Sequence, residues 1–347
     1  MELNLVIGKT ELENLLKFKY KSMNNKIILK INNEIVNECN PNLSVLDNIL
    51  NKNLHLNHSC KNGRCDSCKV KIINGSFEII KNQMSINDED KNIHLSCCIR
   101  PRSNMTILAD SFRSYSLPKS KIYPVKVKKM INHNIGIKSI FLEMPKDINF
   151  NFVIGQYIDI KIFETYRSYS ISSFNPKGNI IEIIVKYLDK GLLSNYWFNK
   201  CKLGDLLLME GPKGGNILNL ETNAKNLILV ATGVGISPIL AIIKSKNIYK
   251  KFKKVYVIWG NRYKVDEFIN INKYSKKIIY LKTFSKNSGD KFKYVQDVIN
   301  DKFGSLKDSF VYTCGSYDMV KDVNNLSLEK GLVKNNFVSD AFVQTGD

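Results

Sequence analysis

Apolar and polar positions alternate in short bursts over the first two thirds of the chain, and the bursts mark strands. From Met23, NNKIILKINNEIV reads as a two-stranded hairpin turning at Asn32 and Asn33. SVLDNILNKN then reads as a short helix, with Ser44 as N-cap and Asp47 three residues on. Between residues 121 and 220 the runs VKVKKM, IKSIFLEM, QYIDIKIF, IIEIIVKYL and DLLLMEGP are divided by Gly, Asn and Pro turns. That density of short strands predicts an antiparallel barrel. Beyond residue 222 the rhythm changes. Leu227 to Ala231 are apolar without alternation, as in a parallel strand buried on both faces, and a Gly-rich turn leads on into a helix. VYVIWGNR, IIYLKTF and FVYTCGSYDMV repeat the strand-then-helix order, which predicts a parallel α/β layer.

The expected organisation is an N-terminal extension (1–22), a first domain (23–112), a Ser/Pro-containing linker (113–120), the barrel (121–221) and the α/β domain (222–347). The extension holds a helix candidate capped at Thr10 and apolar at Leu12, Leu15, Leu16 and Phe18. Charges interrupt it where a secretion signal needs an apolar core. No apolar run approaches the ~18 residues of a membrane span. The expectation is a cytoplasmic protein.

Composition qualifies this picture in one respect. Of 347 residues, 52 are Lys or Arg against 32 Asp or Glu, a net charge of +20. Residues 1–110 contribute only +3, and the remainder +17. Only six of the bases are Arg, and Asn and Ile are also abundant, a mix that reads as the imprint of A+T-rich coding. No Arg-rich arm, recognition helix or zinc finger accompanies the lysines, so no nucleic-acid partner is expected. A near-neutral first domain beside a basic remainder instead favours an acidic protein partner.

Cysteine spacing is sharper. HSCKNGRCDSCKV sets Cys60, Cys65 and Cys68 in a C-x4-C-x2-C run, and LSCCIRP follows at a distance with Cys97 and Cys98. This is the spacing of plant-type [2Fe–2S] proteins: three thiolates from one loop, a fourth from elsewhere. Zinc is the alternative, but its sites pair two short knuckles and only one is present. Gly63 suits a loop that must curl round sulfides with its N–H groups inward. The fourth ligand is Cys97 or Cys98. Resemblance to the ferredoxin pattern decides for Cys97, because Leu95, Ser96, Cys97 and Pro101 match it. Asp66 departs from that pattern, where relatives carry a small residue, and a carboxylate there would lower the cluster's potential. Cys39 and Cys201 read as buried small hydrophobes.

Within the barrel, RSYSISS (Arg167 to Ser173) resembles the flavin signature of the ferredoxin–NADP⁺ reductase superfamily. Arg167 offers a fork for a pyrophosphate, Tyr169 a flat face for the isoalloxazine, and Ser170 a hydroxyl for the N5 region. Val185 and Lys186, then Gly191, Leu192, Leu193 and Ser194 (with Lys190 ahead of them), sit where that family's next FAD-binding segments fall. Gly215 and Asn216 depart from the family's Gly-Thr/Ser-Phe. Thr232, Gly233, Gly235 and Pro238 resemble its nicotinamide-nucleotide loop, G-x-G-x-x-P. Cys314 and Gly315 resemble the late motif whose Cys lies beside nicotinamide C4. Asp340-Ala341-Phe342 resembles the terminal segment whose aromatic covers the flavin edge.

The resemblance spans residues 23–347 and implies a multidomain α+β and α/β protein. It would join a β-grasp [2Fe–2S] ferredoxin, an antiparallel FAD-binding barrel and a Rossmann-like nucleotide-binding domain. It implies a hydride passing from NAD(P)H to FAD, with Ser170 and Cys314 as catalytic residues, and single electrons passing through the cluster to a partner protein. RSYSIS, GPKG and the DAF terminus are similar to the CDP-6-deoxy-Δ3,4-glucoseen reductase group of dideoxysugar synthesis, whose partner is a dehydrase holding a pyridoxamine–sugar adduct. The alternative is the reductase group serving aromatic-ring or methane oxygenases. A non-catalytic, nucleotide-responsive regulatory subunit is the reading from another class. Arg262, Ser285 and Lys286 leave NADPH open, and NADH is the reading taken. A monomer is expected.

Overall fold

The computed structural model describes residues 27–342 apart from Asn33, 84–89, 114–116, Ile135, Lys190, Ser288 and Asp290, and within the second strand it leaves the side chains of residues 35–37 undescribed. The N-terminal extension with its helix candidate, part of the linker, and Lys190 therefore lie outside the described residues.

The first part is a small mixed sheet. Strands β1 (Ile27–Ile31), β2 (Glu34–Cys39), β3 (Lys69–Asn74), β5 (Ile93–Leu95) and β7 (Met105–Leu108) run in the order β2-β1-β7-β3-β5, and β4 (Phe77–Ile79) pairs with β6 (Ile99–Pro101). Helix α1 (Val45–Asn51) covers it, started by a reciprocal cap. The Asp47 N–H donates to Ser44 Oγ at 3.0 Å, and that hydroxyl donates to Asp47 Oδ2 at 2.7 Å. Leu29, Ile31, Leu46, Ile49 and Ile99 fill the core beneath.

Next comes a closed six-stranded barrel: β8 (Lys121–Asn134), β9 (Ile137–Glu143), β10 (Tyr157–Ile162), β11 (Thr165–Asn175), β12 (Ile180–Lys186) and β13 (Leu206–Lys213). Its strands pair in the order β10-β11-β12-β9-β8-β13. Closure leaves no free edge, so alternate residues such as Ile158, Ile160, Ile181, Ile183 and Met209 meet inside. Strand β11 is bulged against β12 between Ile171 and Ser173. After β12 the chain enters α2 (Leu192–Asn195), which runs on as a π-helical turn through Lys200.

The last part is a parallel sheet, β16-β15-β14-β17-β18, built from β14 (Asn226–Thr232), β15 (Lys254–Asn261), β16 (Ile278–Phe284), β17 (Ser309–Ser316) and β18 (Phe337–Phe342). Helices α3 (Ile236–Lys244), α4 (Ile248–Lys251), α5 (Val295–Lys302) and α6 (Tyr317–Glu329) accompany it. Two hydrophobic clusters, one holding Leu227, Leu229 and Ile239 and the other Ile228, Val230 and Val320, explain why β14 shows no alternation. Chain order reverses between β14 and β17. In open α/β sheets ligands bind outside the carboxyl ends of the strands at such a switch point.

Candidate functional site

The Cys loop coils through three residues of positive φ, Lys61, Gly63 and Asp66. Gly63 also has no room for a side chain, since a Cβ there would lie 2.1 Å from the Asn82 carbonyl oxygen and 3.0 Å from Cys98 Sγ. The coil turns backbone donors onto sulfur. The Asn62 and Arg64 N–H groups each reach Cys60 Sγ at 3.4 Å, and the Cys60 N–H reaches Cys65 Sγ at 3.4 Å. The thiols fall into two pairs, Cys60 with Cys65 and Cys68 with Cys97. In each pair one sulfur is drawn toward thiolate. The hydrogen bond from Cys65 lowers Cys60, and those from Cys68, then Cys98, lower Cys97.

Among the described residues no three thiols, imidazoles or carboxylates converge where one ion would sit. Two pairs with inward N–H donors fit a two-iron cluster, one pair per iron, better than tetrahedral zinc. Cys98 Sγ is hydrogen-bonded to Cys97 Sγ at 3.5 Å and also reaches the Asn82 carbonyl at 3.8 Å. Asp66 Oδ2 meets Lys69 Nζ at 3.3 Å and accepts from Tyr317 Oη at 3.3 Å, so its charge is partly compensated. Cys39 is buried, whereas Cys201 is only half-buried and differs there from expectation.

On β11 the side chains alternate between faces. Tyr169 packs against the barrel core and accepts from Trp197 Nε1 at 2.8 Å, with the rings edge to face. Trp197 has no place among the sequence-derived residues, although it sits in the NYWF helix just after the GLLS turn. Arg167 lies two positions before Tyr169 and therefore on the same face. Val185 is buried near the end of β12, and Lys186 beside it is exposed. Gly191 opens the turn that Ser194 closes by donating to Leu188 O and Gly191 O at 2.7 and 2.9 Å, and a Cβ on Gly191 would meet Ser194 Oγ at 2.7 Å. Leu192 and Leu193, exposed and buried respectively, begin the helix, where first-turn N–H groups lack intrahelical acceptors. A guanidinium and such a turn are a donor set that fits a pyrophosphate.

At the switch point the ends of β14 and β17 interlock. Ala231 pairs with Cys314 in register. Gly233 has φ +52° and open space before it, while a Cβ on Gly235 would lie 2.2 Å from the Cys314 carbonyl oxygen. Gly315 packs onto Thr232 just as closely. Trp259 Nε1 donates to Gly233 O at 2.9 Å, holding the loop, and Pro238 stands in the first turn of α3. Asn261 Nδ2 and Thr283 Oγ1, at the carboxyl ends of β15 and β16, are buried without partners, and Arg262 is exposed beside them. Orphaned polar atoms at the ligand end of a nucleotide-type sheet fit a bound nucleotide.

The two halves of this site meet at Ser170. Its carbonyl accepts from Ser237 Oγ of α3 at 3.3 Å, and its hydroxyl donates to Asp340 Oδ2 at 3.4 Å. Asp340 pairs in register with Cys314. Phe342, 40% exposed, lies two positions on and so shares Asp340's face of β18. Burial first, then Asp340's charge, pushes the Cys314 thiol well above its ordinary value. It therefore keeps its proton at neutral pH. Peptide-resolved alkylation by iodoacetamide from pH 7 to 9.5 is expected to show no rise at Cys314 through the ordinary thiol range of about 8–9. A titration step there would contradict a neutral buried thiol.

Residues 29–102 match the family model of the 2Fe-2S iron-sulfur cluster binding domain, 123–217 that of the oxidoreductase FAD-binding domain, and 229–325 that of the oxidoreductase NAD-binding domain. The chain is 30% identical over 311 residues to the CDP-6-deoxy-L-threo-D-glycero-4-hexulose-3-dehydrase reductase of Yersinia pestis, covering 86% of this chain and 93% of that one. It is 27% identical over 332 residues to terephthalate 1,2-dioxygenase, reductase component 1, of Comamonas sp, covering 92% and 98%. The solved structure of the Amycolatopsis cytochrome P450 reductase GcoB shares the fold, with a TM-score of 0.72 at 17% identity over 91% of this chain and 98% of that one. No helix among the described residues is long and apolar enough to cross a membrane.

Proposed function

The chain belongs to the family of iron–sulfur flavoprotein reductases that contains this dehydrase reductase and the dioxygenase component, and from that premise we propose that it supplies a pyridoxamine-dependent CDP-sugar dehydrase with electrons from NADH. It is an NAD(P)H-dependent oxidoreductase whose cofactors are FAD and a [2Fe–2S] cluster. The partner assignment rests on the 30% identity that runs through 93% of the dehydrase reductase. We assign the ferredoxin part to residues 23–112, the linker to 113–120, the FAD-binding part to 121–221 and the nucleotide-binding part to 222–347, and read the whole as a cytoplasmic monomer with 1–22 as an extension.

When bound, FAD takes electrons in a pair as hydride and the cluster relays them one at a time. The chain's task is placement. Thr232, Gly233, Gly235 and Pro238 would hold the nicotinamide nucleotide, with Arg262 toward its ribose and Cys314 and Gly315 toward its nicotinamide. Arg167, Gly191, Leu192, Leu193 and Ser194 would take the FAD pyrophosphate, while Tyr169, Val185 and Lys186 line the flavin. Ser170 would offer its hydroxyl at the ring edge and Phe342 would cover it. Cys314, neutral and dry, shapes the site and does not act as a base. Cys60, Cys65, Cys68 and Cys97 would ligate the cluster.

The test is reconstitution. With NADH, anaerobically purified protein and a pyridoxamine-dependent CDP-sugar dehydrase, the 3-deoxy product is expected to accumulate. Failure there, together with turnover of an oxygenase component by the same preparation, would move the partner to the oxygenase reading.

A further inference from the structure

One carboxylate touches all three parts of the chain. Asp340 stands on β18 of the nucleotide-binding sheet and is buried. Its Oδ1 accepts from Ser59 Oγ of the Cys loop at 2.8 Å, and its Oδ2 accepts from Ser170 Oγ of the flavin strand at 3.4 Å. The shorter bond thus comes from the residue next to Cys60, across a sequence separation of 281 residues. A buried carboxylate is tolerated only where donors replace water, and here both donors are neutral hydroxyls, one from the Cys loop and one from strand β11.

The same edge of the loop is gripped four more times. Tyr157 Oη donates to Ser59 O at 3.1 Å, and the Gly215 N–H donates to His58 O at 2.9 Å. Asn216 Nδ2 donates to Ser67 Oγ at 3.1 Å and also to Ser339 O, and Tyr317 Oη donates to Asp66. Lys61, in contrast, is exposed and ion-paired to Asp47 of the first part itself. The loop therefore has a seated edge and an outward edge. Of the seating bonds, only that of Ser59 shares its acceptor with the flavin strand.

We propose that Ser59 and Asp340 form a latch that seats the cluster loop against the flavin strand, which makes both positioning residues for transfer between the two centres. The latch rests on the route from NAD(P)H through FAD to the cluster. Ser170 and the loop then share one carboxylate, so the flavin-side hydroxyl and the cluster-side backbone are registered against the same two oxygens.

The full-length protein carrying FAD and cluster tests this by stopped-flow mixing with NADH. In Ser59→Ala, flavin bleaching is expected to stay within about twofold of wild type while cluster reduction slows roughly tenfold, because a loop without its bond to Asp340 spends less time seated. The EPR spectrum of the dithionite-reduced cluster should match wild type, amide exchange across residues 56–62 should speed up, and Ser59→Thr should restore both rate and protection. Asp340→Asn is expected to slow cluster reduction at least as much. An unchanged cluster rate in Ser59→Ala, equal slowing of flavin and cluster, or an Asp340→Asn defect confined to the flavin step each overturns the latch. A wild-type cluster that NADH never reduces would instead overturn the electron route itself, so the two failures are distinguishable.

Discussion

Replacing Cys97 with serine is expected to reduce NADH-driven electron delivery to the acceptor protein to background, while the same change at Cys98 leaves it running. The two sulfurs are 3.5 Å apart and both buried, so exposure does not separate them. Pairing does. Cys97 faces Cys68, with which it makes the second thiol pair, as Cys60 and Cys65 make the first. Cys98 points at the Asn82 carbonyl and lies against Gly63, whose missing Cβ is what admits its sulfur. Turning Cys98 inward would require that close-packed loop to open, so it does not substitute when Cys97 is lost. Cys98→Ser keeps a donor near Asn82 and should cost no more than about 1–2 kcal/mol of stability. Ferricyanide reduction by NADH, which needs only the flavin, serves as the control and should survive both changes. A Cys97→Ser protein that retains the reduced-cluster EPR signal and acceptor turnover would transfer the ligand role to Cys98.

The parts legible in the sequence were those carried by local rules. Cysteine spacing needs only one loop and one returning strand. The alternation of β10, and its absence in β14, follow from which faces are covered. The Ser44 cap is a three-residue event. What stayed illegible depends on pairs far apart in the chain. Nothing near Trp197 says that its indole donates to Tyr169, and nothing near Ser237 says that its hydroxyl reaches the Ser170 carbonyl. Asp340 was visible as one letter of a terminal motif, without any sign of Ser59 on its other side.

The departures from the family pattern are the instructive cases. Gly215 and Asn216, unusual near a flavin, are where the barrel touches the Cys loop. A Cβ on Gly215 would lie 2.7 Å from His58 Nδ1, and Asn216 bridges Ser67 and Ser339. Asp66, unusual beside a cluster, is where the loop meets Tyr317. Both departures fall on the seam between the first part and the rest, where a chain that carries its own ferredoxin has contacts to make.

Gly235→Ala should be the most damaging single-methyl change in the nucleotide loop, and Gly233→Ala, two residues earlier, a mild one for stability. Backbone conformation alone would predict the reverse. Gly233 has φ +52°, which costs a non-glycine residue about 1–2 kcal/mol, whereas Gly235 has an ordinary helical φ of −59°. Space decides against that ranking. Nothing lies within 4 Å of a Cβ at Gly233, but at Gly235 the methyl would sit 2.2 Å from the Cys314 carbonyl oxygen. That oxygen belongs to a central strand paired with β14, so it has no flexible side chain to swing aside. Overpacking of this kind costs about 1–3 kcal/mol, and a contact this close to backbone belongs at the upper end, about 3 kcal/mol. For a domain of this size that is a fall in Tm of roughly 6–12 °C. Relief would come by prising α3 away from β17, which also disturbs the Ser237 bond to Ser170. The NADH KM should therefore rise together with the loss of stability, and flavin reduction should slow at saturating NADH. Gly233→Ala should act differently, leaving Tm within a few degrees while raising KM, because its open side is where the proposed nucleotide site would receive a phosphate. A Gly235→Ala protein with wild-type Tm and KM would mean that β14 and β17 are not packed at this register.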